Sequence, residues 1–153
     1  MDYTIDGPRL GTSSLCMPIL RALPEWFGIE EALLEYEKEI DALPTFLAYS
    51  GAKLVGFLSI KQHFPSTAEV FVMGVHRASL RQGIGRRLME NAFQWAESQS
   101  IEYMQVKTLG PSRESIEYTA TRNFYLAMGF HPLEELKKIW DENNPCLILV
   151  KRI

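Results

Sequence analysis

Residues 81–96 read RQGIGRRLMENAFQWA. Two glycines, Gly83 and Gly85, stand one residue apart at the head of a run of good helix formers, and Arg81, Arg86 and Arg87 surround them. A helix N-terminus leaves backbone N–H groups without partners and carries a partial positive charge. Glycine there has no Cβ, so a bulky anion can come close to the backbone. Guanidinium groups add full charge. Together these residues describe a phosphate site. The other reading of the same residues is a glycine-rich turn with solvated arginines. Two phosphate motifs are excluded: no GKS or GKT is present, so this is no P-loop, and G-I-G-R-R-L lacks the third glycine of the dinucleotide fingerprint.

A second chemical candidate opens the segment AEVFVMGV. A carboxylate entering an apolar strand is costly unless it has a task or a partner, and Glu69 is such a carboxylate. Even spacing along a strand puts Glu69, Phe71, Met73 and Val75 on one face. An exposed glutamate at a strand end is the alternative. His63, in KQHF, ends the preceding strand pattern.

The elements that must position these residues alternate between helix and strand periods. MDYTI reads as a short strand and SSLCMPILRAL as a helix interrupted by Pro18. GIEEALLEYEKEIDAL has Ile29, Leu33, Leu34, Tyr36, Ile40 and Leu43 at helical spacing, with glutamates between them. TFLAYSGAKLVGFLSIK reads as two strands around a tight turn at Ser50-Gly51. AEVFVMGV, nearly apolar throughout, suits a strand covered on both faces. Ile84, Leu88, Ala92, Phe93 and Ala96 line one face of the helix that follows the glycines. EYMQVKTL is a strand, SIEYTATRNFYLAMG a helix closed by Gly129, and CLILVKRI a final strand. The order β-α-α-β-β-β-α-β-α-β predicts a mixed α/β sheet with helices on both faces. HPLEELKKIWDENNPCLILV is expected to return as a hairpin, with Trp140 in the core; a place over a ligand pocket is the other reading of Trp140.

With 153 residues and no linker or repeat, one domain over 1–153 is expected. The net charge of −3 argues against a general nucleic-acid binder, which needs a basic face. No apolar run approaches membrane-spanning length and no signal-peptide pattern opens the chain, so a cytoplasmic protein without a membrane partner is expected. Cys16 and Cys146 stand far apart, which favours two reduced thiols, and no residue spacing makes a case for a metal.

A strand, then RQGIGRRL, then a strand, then RNFYLAMGF resembles the GNAT superfamily of acetyl-CoA-dependent N-acetyltransferases, over about Thr45 to Phe130. Leu80 and Tyr118 depart from the family pattern, at positions the family commonly fills with a polar side chain and an asparagine. The resemblance implies a mixed, mostly antiparallel sheet with a splayed pair of parallel central strands that admits acetyl-CoA. It implies that the backbone of Gln82, Gly83, Ile84, Gly85 and Arg86 holds the pyrophosphate, with Arg81 standing in for the missing polar side chain. It implies that Met73 N–H faces the thioester oxygen, as an oxyanion donor would, and that Val75 lies further along the pantetheine arm. Tyr125 is implied to protonate the departing thiolate, since a phenol with a pKa near ~10 keeps its proton at neutral pH. The other reading of Tyr125 is a half-buried aromatic.

An amine with a pKa near ~10.4 must lose a proton before it attacks. In one branch of the family a glutamate at the position of Glu69 takes it. His63, with a reference pKa of about 6.5, and water are the alternatives. The expected activity is transfer of acetyl to a primary amine of a small molecule or protein by direct attack in a ternary complex. Transfer of another acyl group, or a coenzyme A-binding sensor or interaction module with the same fold, are the alternatives. Lys107, Arg113, Tyr118 and Arg122 are candidates for binding an acidic group or the phosphates, and the acidic helix near Glu30–Glu39 for attracting a cationic amine; solvated charge is the other reading of Arg113 and of that helix. Many relatives pair, so a homodimer is a further expectation.

Overall fold

The computed structural model describes residues 2–153. The elements are β1 (Thr4–Arg9), α1 (Ser13–Arg21), α2 (Glu30–Ile40), β2 (Thr45–Ser50), β3 (Lys53–Phe64), β4 (Thr67–Val75), α3 (Ile84–Ser98), β5 (Tyr103–Leu109), α4 (Ile116–Ala127), β6 (His131–Asp141) and β7 (Asn144–Arg152). A single 3-10 turn, Arg77–Ser79, follows β4. The hydrogen-bonded strand order is β1-β2-β3-β4-β5-β7-β6. β1–β2, β2–β3, β5–β7 and β6–β7 are antiparallel, whereas β4–β5 is parallel. This is the expected mixed, mostly antiparallel sheet with a parallel central pair. By internal contacts the chain divides into two compact units, Met1–Lys61 with Phe71–Trp95, and Gln62–Val70 with Ala96–Ile153.

In the first unit, β2 and β3 turn through Gly51 at φ 61°, with Ser50 opposite Lys53, as the sequence predicts. The interruption expected at Pro18 does not occur, and α1 is continuous through it. Pro18 lies on the exposed side, while Cys16, Met17, Ile19 and Leu20 are buried. Burying such side chains is worth about 1.5–3 kcal/mol each, which together outweighs the ~3 kcal/mol that an internal proline costs. They share a core with Leu33 and Ile40 of α2, Leu47, Phe57 and Val72. The buried stripe of α2 is narrower than its sequence period suggests, since Ile29 and Leu34 are exposed. Two glycines allow close helix approach. A Cβ on Gly74 would lie 3.2 Å from Ile19 of α1, and one on Gly56 would lie 3.2 Å from Ile84 of α3.

In the second unit, the start of β4 runs parallel to β5 from Thr67–Tyr103 to Val70–Val106. Ala68, Val70, Met104, Val106, Leu147 and Leu149 are buried on one face of these strands. α4 begins at Ser115, whose Oγ accepts the Tyr118 N–H at 3.2 Å. It ends as predicted at Gly129, φ 94°, where Phe130 N–H donates back to the Tyr125 carbonyl at 3.0 Å. The tail forms the expected return, as the β6–β7 hairpin, and β6 is a seventh strand beyond the six read from the sequence. Trp140, expected in the core, is 47% exposed on β6. The cause is its place on an edge strand whose residues are mostly exposed.

Candidate functional site

Helix α3 begins directly after a constrained loop. Arg81 has φ 63° and Gly83 φ 81°, both left-handed. Glycine adopts this conformation freely, whereas a side-chain-bearing residue meets a penalty of roughly 1–2 kcal/mol. A Cβ on Gly83 would meet nothing within 4 Å, so the backbone there opens outward. The first helical bond runs from Arg87 N–H to the Gly83 carbonyl at 3.1 Å. By helix geometry the N–H groups of Ile84, Gly85 and Arg86 precede that bond. Arg81 and Arg86 are exposed and make no ion pair among the described residues. Arg87, by contrast, donates to the Tyr3 carbonyl and ties α3 to the N-terminal strand region. The sequence grouped three arginines, and two of them are open to a ligand. Leu80 is partly exposed beside this loop.

In the part of β4 that precedes this loop, His76 N–H donates to the Val55 carbonyl at 2.7 Å. The Gly74 carbonyl also faces β3, 3.2 Å from where a Gly56 Cβ would stand. Backbone alternation therefore turns the N–H groups of Met73 and Val75 to the other edge of the strand. Side-chain alternation is not continuous. Phe71 and Val72, neighbours in sequence, both pack on the α1–α2 core, and Gly74 faces α1 as well. The expectation that Phe71 shares one face with Met73 and Val75 is therefore corrected: the alternation breaks between Phe71 and Val72.

Glu69, in the second unit, is no exposed strand end. Its side chain is 7% exposed. Its Oε1 lies 2.7 Å from Nε2 of His63 and 3.5 Å from Nζ of Lys107. The turn at Pro65–Ser66 returns the chain so that His63 reaches Glu69, and the parallel register, Glu69 opposite Gln105, brings Lys107 within reach. The two base candidates of the sequence are thus one cluster. His63 is its outer member, with 32% of its side chain exposed. Lys107, read from the sequence as an anion binder, is the cluster's third member. Only the register of β5 against β4 could have shown this.

Tyr125 is 6% exposed, with its ring 5.5 Å from that of Phe124 and 5.8 Å from that of Phe130. The segment before α4 is built largely from internal bonds. Arg122 donates to the Leu109 carbonyl at 2.8 Å, and Arg113 to Asn144 Oδ1 at 2.9 Å. Each of these two guanidiniums thus has an internal partner. Glu135 accepts from Ser112 N–H at 2.9 Å and from its hydroxyl.

A further feature of the first unit escaped the sequence. Phe27, Tyr36 and Phe71 stack edge to face in series, at 6.0 and 5.6 Å between centroids. Lys61 Nζ lies 5.2 Å over the Phe71 ring and 2.6 Å from Glu39. Of the acidic helix, Glu39 and Glu30 are thereby engaged, the latter with Arg21 at 2.9 Å. Both cysteines are free and buried. Burial pushes the Cys16 thiol up to about 11 and raises that of Cys146. Among the described residues no three metal-ligating side chains converge, and no helix is long and apolar enough to cross a membrane.

The sequence model described as the acetyltransferase (GNAT) family matches residues 16–130. No curated protein matches the chain by sequence. Among solved structures, a protein from Desulfovibrio desulfuricans classed in the GNAT family superposes with a TM-score of 0.85 at 14% identity, covering 99% of each chain. A GNAT family acetyltransferase from Elizabethkingia anophelis, with acetyl-CoA bound, gives 0.73 at 19% identity, covering 99% of this chain and 98% of that one. The ribosomal-protein-S18-alanine N-acetyltransferase of Escherichia coli gives 0.77 at 15% identity, covering 99% and 94%.

Proposed function

We propose that this chain, which belongs to the acetyltransferase (GNAT) family, moves the acetyl group of acetyl-CoA to a primary amine of a small molecule or protein, by direct attack in a ternary complex. Acetyl-CoA, when bound, supplies an electrophilic thioester carbonyl and a thiolate leaving group. The observation that carries the reading is the loop at the start of α3. It has two left-handed residues, a glycine whose Cβ position is empty space, and two exposed arginines. These features fit a diphosphate held by backbone N–H groups. Gln82, Gly83, Ile84, Gly85 and Arg86 would hold it, with Arg81 and Arg86 adding charge.

Met73 N–H, turned to the strand edge away from β3, would donate to the thioester oxygen as negative charge grows there. Val75 N–H would bind further along the pantetheine arm. In the Glu69 cluster, His63 Nε2 is committed to the carboxylate, which leaves Nδ1 to take the proton of the amine. Glu69 would fix the ring's orientation, while Lys107 lies beside the same carboxylate oxygen. The Tyr125 hydroxyl would supply a proton to the departing sulfur. Neither cysteine suits an acyl relay, because burial keeps both thiols protonated at neutral pH.

A second reading has its own support. Tyr125 is packed among aromatic rings, and exposed Leu80 stands where the family commonly has a polar side chain. Both suit a coenzyme A-binding sensor without turnover. Calorimetric titration with acetyl-CoA, followed by a thiol-release assay over a panel of primary amines, separates the two. The transferase reading expects binding and amine-dependent thiol release, with an acetylated amine by mass. Binding without release on every amine and on amine-bearing peptides favours the sensor. Release with a longer acyl donor in preference to acetyl redirects the donor assignment and keeps the loop's role.

A further inference from the structure

The first unit holds two sorts of aromatic side chain. Phe46 and Phe57 are buried. Phe27, Tyr36 and Phe71 pack against the α1–α2 core but are only partly buried. These three meet edge to face in series and form one aromatic wall. The wall begins on the chain between α1 and α2, crosses α2, and ends on β4 two residues before Met73. We propose that this wall receives the acceptor, and that the preferred acceptor is a primary amine bearing an aromatic ring and no second positive charge. The proposal rests on the transferase reading, in which Met73 N–H faces the thioester oxygen.

Position comes first. Two residues along a strand span roughly 7 Å. A ring carried two carbons from a nitrogen can therefore lie against Phe71 while the nitrogen meets the carbonyl at Met73. All of these residues belong to the first unit. The wall then selects the ring. Aromatic pairs favour offset or edge-to-face contacts with centroids about 4.5–7 Å apart. The two contacts already present are 6.0 and 5.6 Å, and a substrate ring would extend the series by one member. An aliphatic group of equal area buries the same surface without the edge-to-face contact.

Charge selects against a second cation. An aromatic face and a carboxylate are the groups that attract an ammonium in a partly desolvated place. Both are present, as Phe71 and Glu39, and both already hold one of the protein's own. Lys61 Nζ lies 5.2 Å over the Phe71 ring and 2.6 Å from Glu39 Oε1. The far ammonium of a diamine would meet a like charge there, with the nearest carboxylate already paired. A neutral ring meets no such conflict. Lys61 and Glu39 thus set specificity by charge, and the three rings set it by shape.

The test reads amine binding to the full chain by calorimetry in saturating CoA, which has no acetyl group to transfer, so it stands apart from turnover. 2-Phenylethylamine should bind about fivefold tighter than 2-cyclohexylethylamine and about tenfold tighter than 1,4-diaminobutane. Tyr36→Leu and Phe71→Leu should each bring the first ratio to within about twofold, with thermal melts and CoA titration as folding controls. Lys61→Gln leaves Glu39 without its cation and should tighten 1,4-diaminobutane about fivefold, and Lys61→Gln with Glu39→Gln should return it near wild type. A peptide with N-terminal phenylalanine, set against its cyclohexylalanine counterpart, tells a protein acceptor from a small one, and a ring preference in either pair supports the proposal. Equal binding of ring and cyclohexyl amines overturns it. So does a wild type that binds the diamine tightest, a preference that both leucine variants leave whole, or no binding of any amine. Thiol release from acetyl-CoA is assayed separately: ring-selective binding without release refutes the transferase reading and leaves the wall's preference standing.

Discussion

The loop at the head of α3 and the cluster around Glu69 use opposite physical means. The loop is exposed, works through backbone N–H groups, and owes its form to two left-handed residues. The Glu69 cluster centres on a buried carboxylate and works through side chains from β3, β4 and β5, the outer two partly exposed, that meet at one carboxylate oxygen. A backbone anion site tolerates solvent, because its donors are fixed whatever the salt. A proton-handling site gains from burial, because hydrogen bonds and charges count for more in a low dielectric. Removing one side chain from the second should therefore cost more than removing one from the first.

The largest effect is expected at Tyr125. Tyr125→Phe keeps the ring against Phe124 and Phe130 and deletes only the hydroxyl. Loss of a general acid should cut kcat by roughly 10²–10⁴ while acetyl-CoA affinity stays nearly unchanged. The loss should shrink with an acyl donor whose leaving thiol is more acidic. A merely structural tyrosine gives the reverse, a lower Tm with turnover per folded molecule intact. Measuring kcat and thermal stability on one preparation decides between them.

Next comes Glu69→Gln, which keeps the shape and removes the charge that His63 and Lys107 share. A fall in kcat/KM of roughly 10² is expected, with the acidic limb of its pH profile displaced. His63→Ala should remove that limb altogether. A limb unmoved by either change would mean that the amine loses its proton before it binds and that the cluster is structural.

Local features were readable in the sequence and long-range ones were not. The glycine loop, the Gly51 turn and the Gly129 helix end each depend on a few adjacent residues whose conformational needs are written in their types. The parallel β4–β5 pair was implied by the family resemblance alone. The Glu69 cluster depends on a parallel register between strands some forty positions apart, and no local pattern states a register. The break at Phe71–Val72 was invisible for a related reason. A break in alternation leaves the composition of an apolar run unchanged. Trp140 was placed in the core on the habit of large aromatics, whereas its exposure follows from β6 being an edge strand, which is a property of the sheet order.

On the loop itself, Gly83→Val should weaken acetyl-CoA binding by about tenfold, since a branched Cβ would stand in the approach to the backbone. The free protein offers a control. A Cβ here meets no neighbour, so any loss of stability comes from φ 81° alone, about 1–2 kcal/mol. Gly83→Ala should show nearly that stability loss with a smaller loss of affinity. Equal affinities for wild type and both variants by calorimetry would take the loop out of the binding site.

The smallest effect is expected at Arg86, and its salt dependence is more telling than its size. Arg86 is exposed beside the first turn of α3, so its field reaches a bound phosphate through water and mobile ions. At low ionic strength Arg86→Ala should weaken acetyl-CoA binding by about threefold, in the range of an exposed charge pair. Near 1 M salt, where the Debye length is about 3 Å, wild type and variant should converge. Gly83→Val should keep its full deficit at the same salt, because a steric obstruction is not screened. If the Arg86→Ala deficit persists undiminished at high salt, the guanidinium makes a direct, desolvated contact, and the loop binds through side chains as well as backbone.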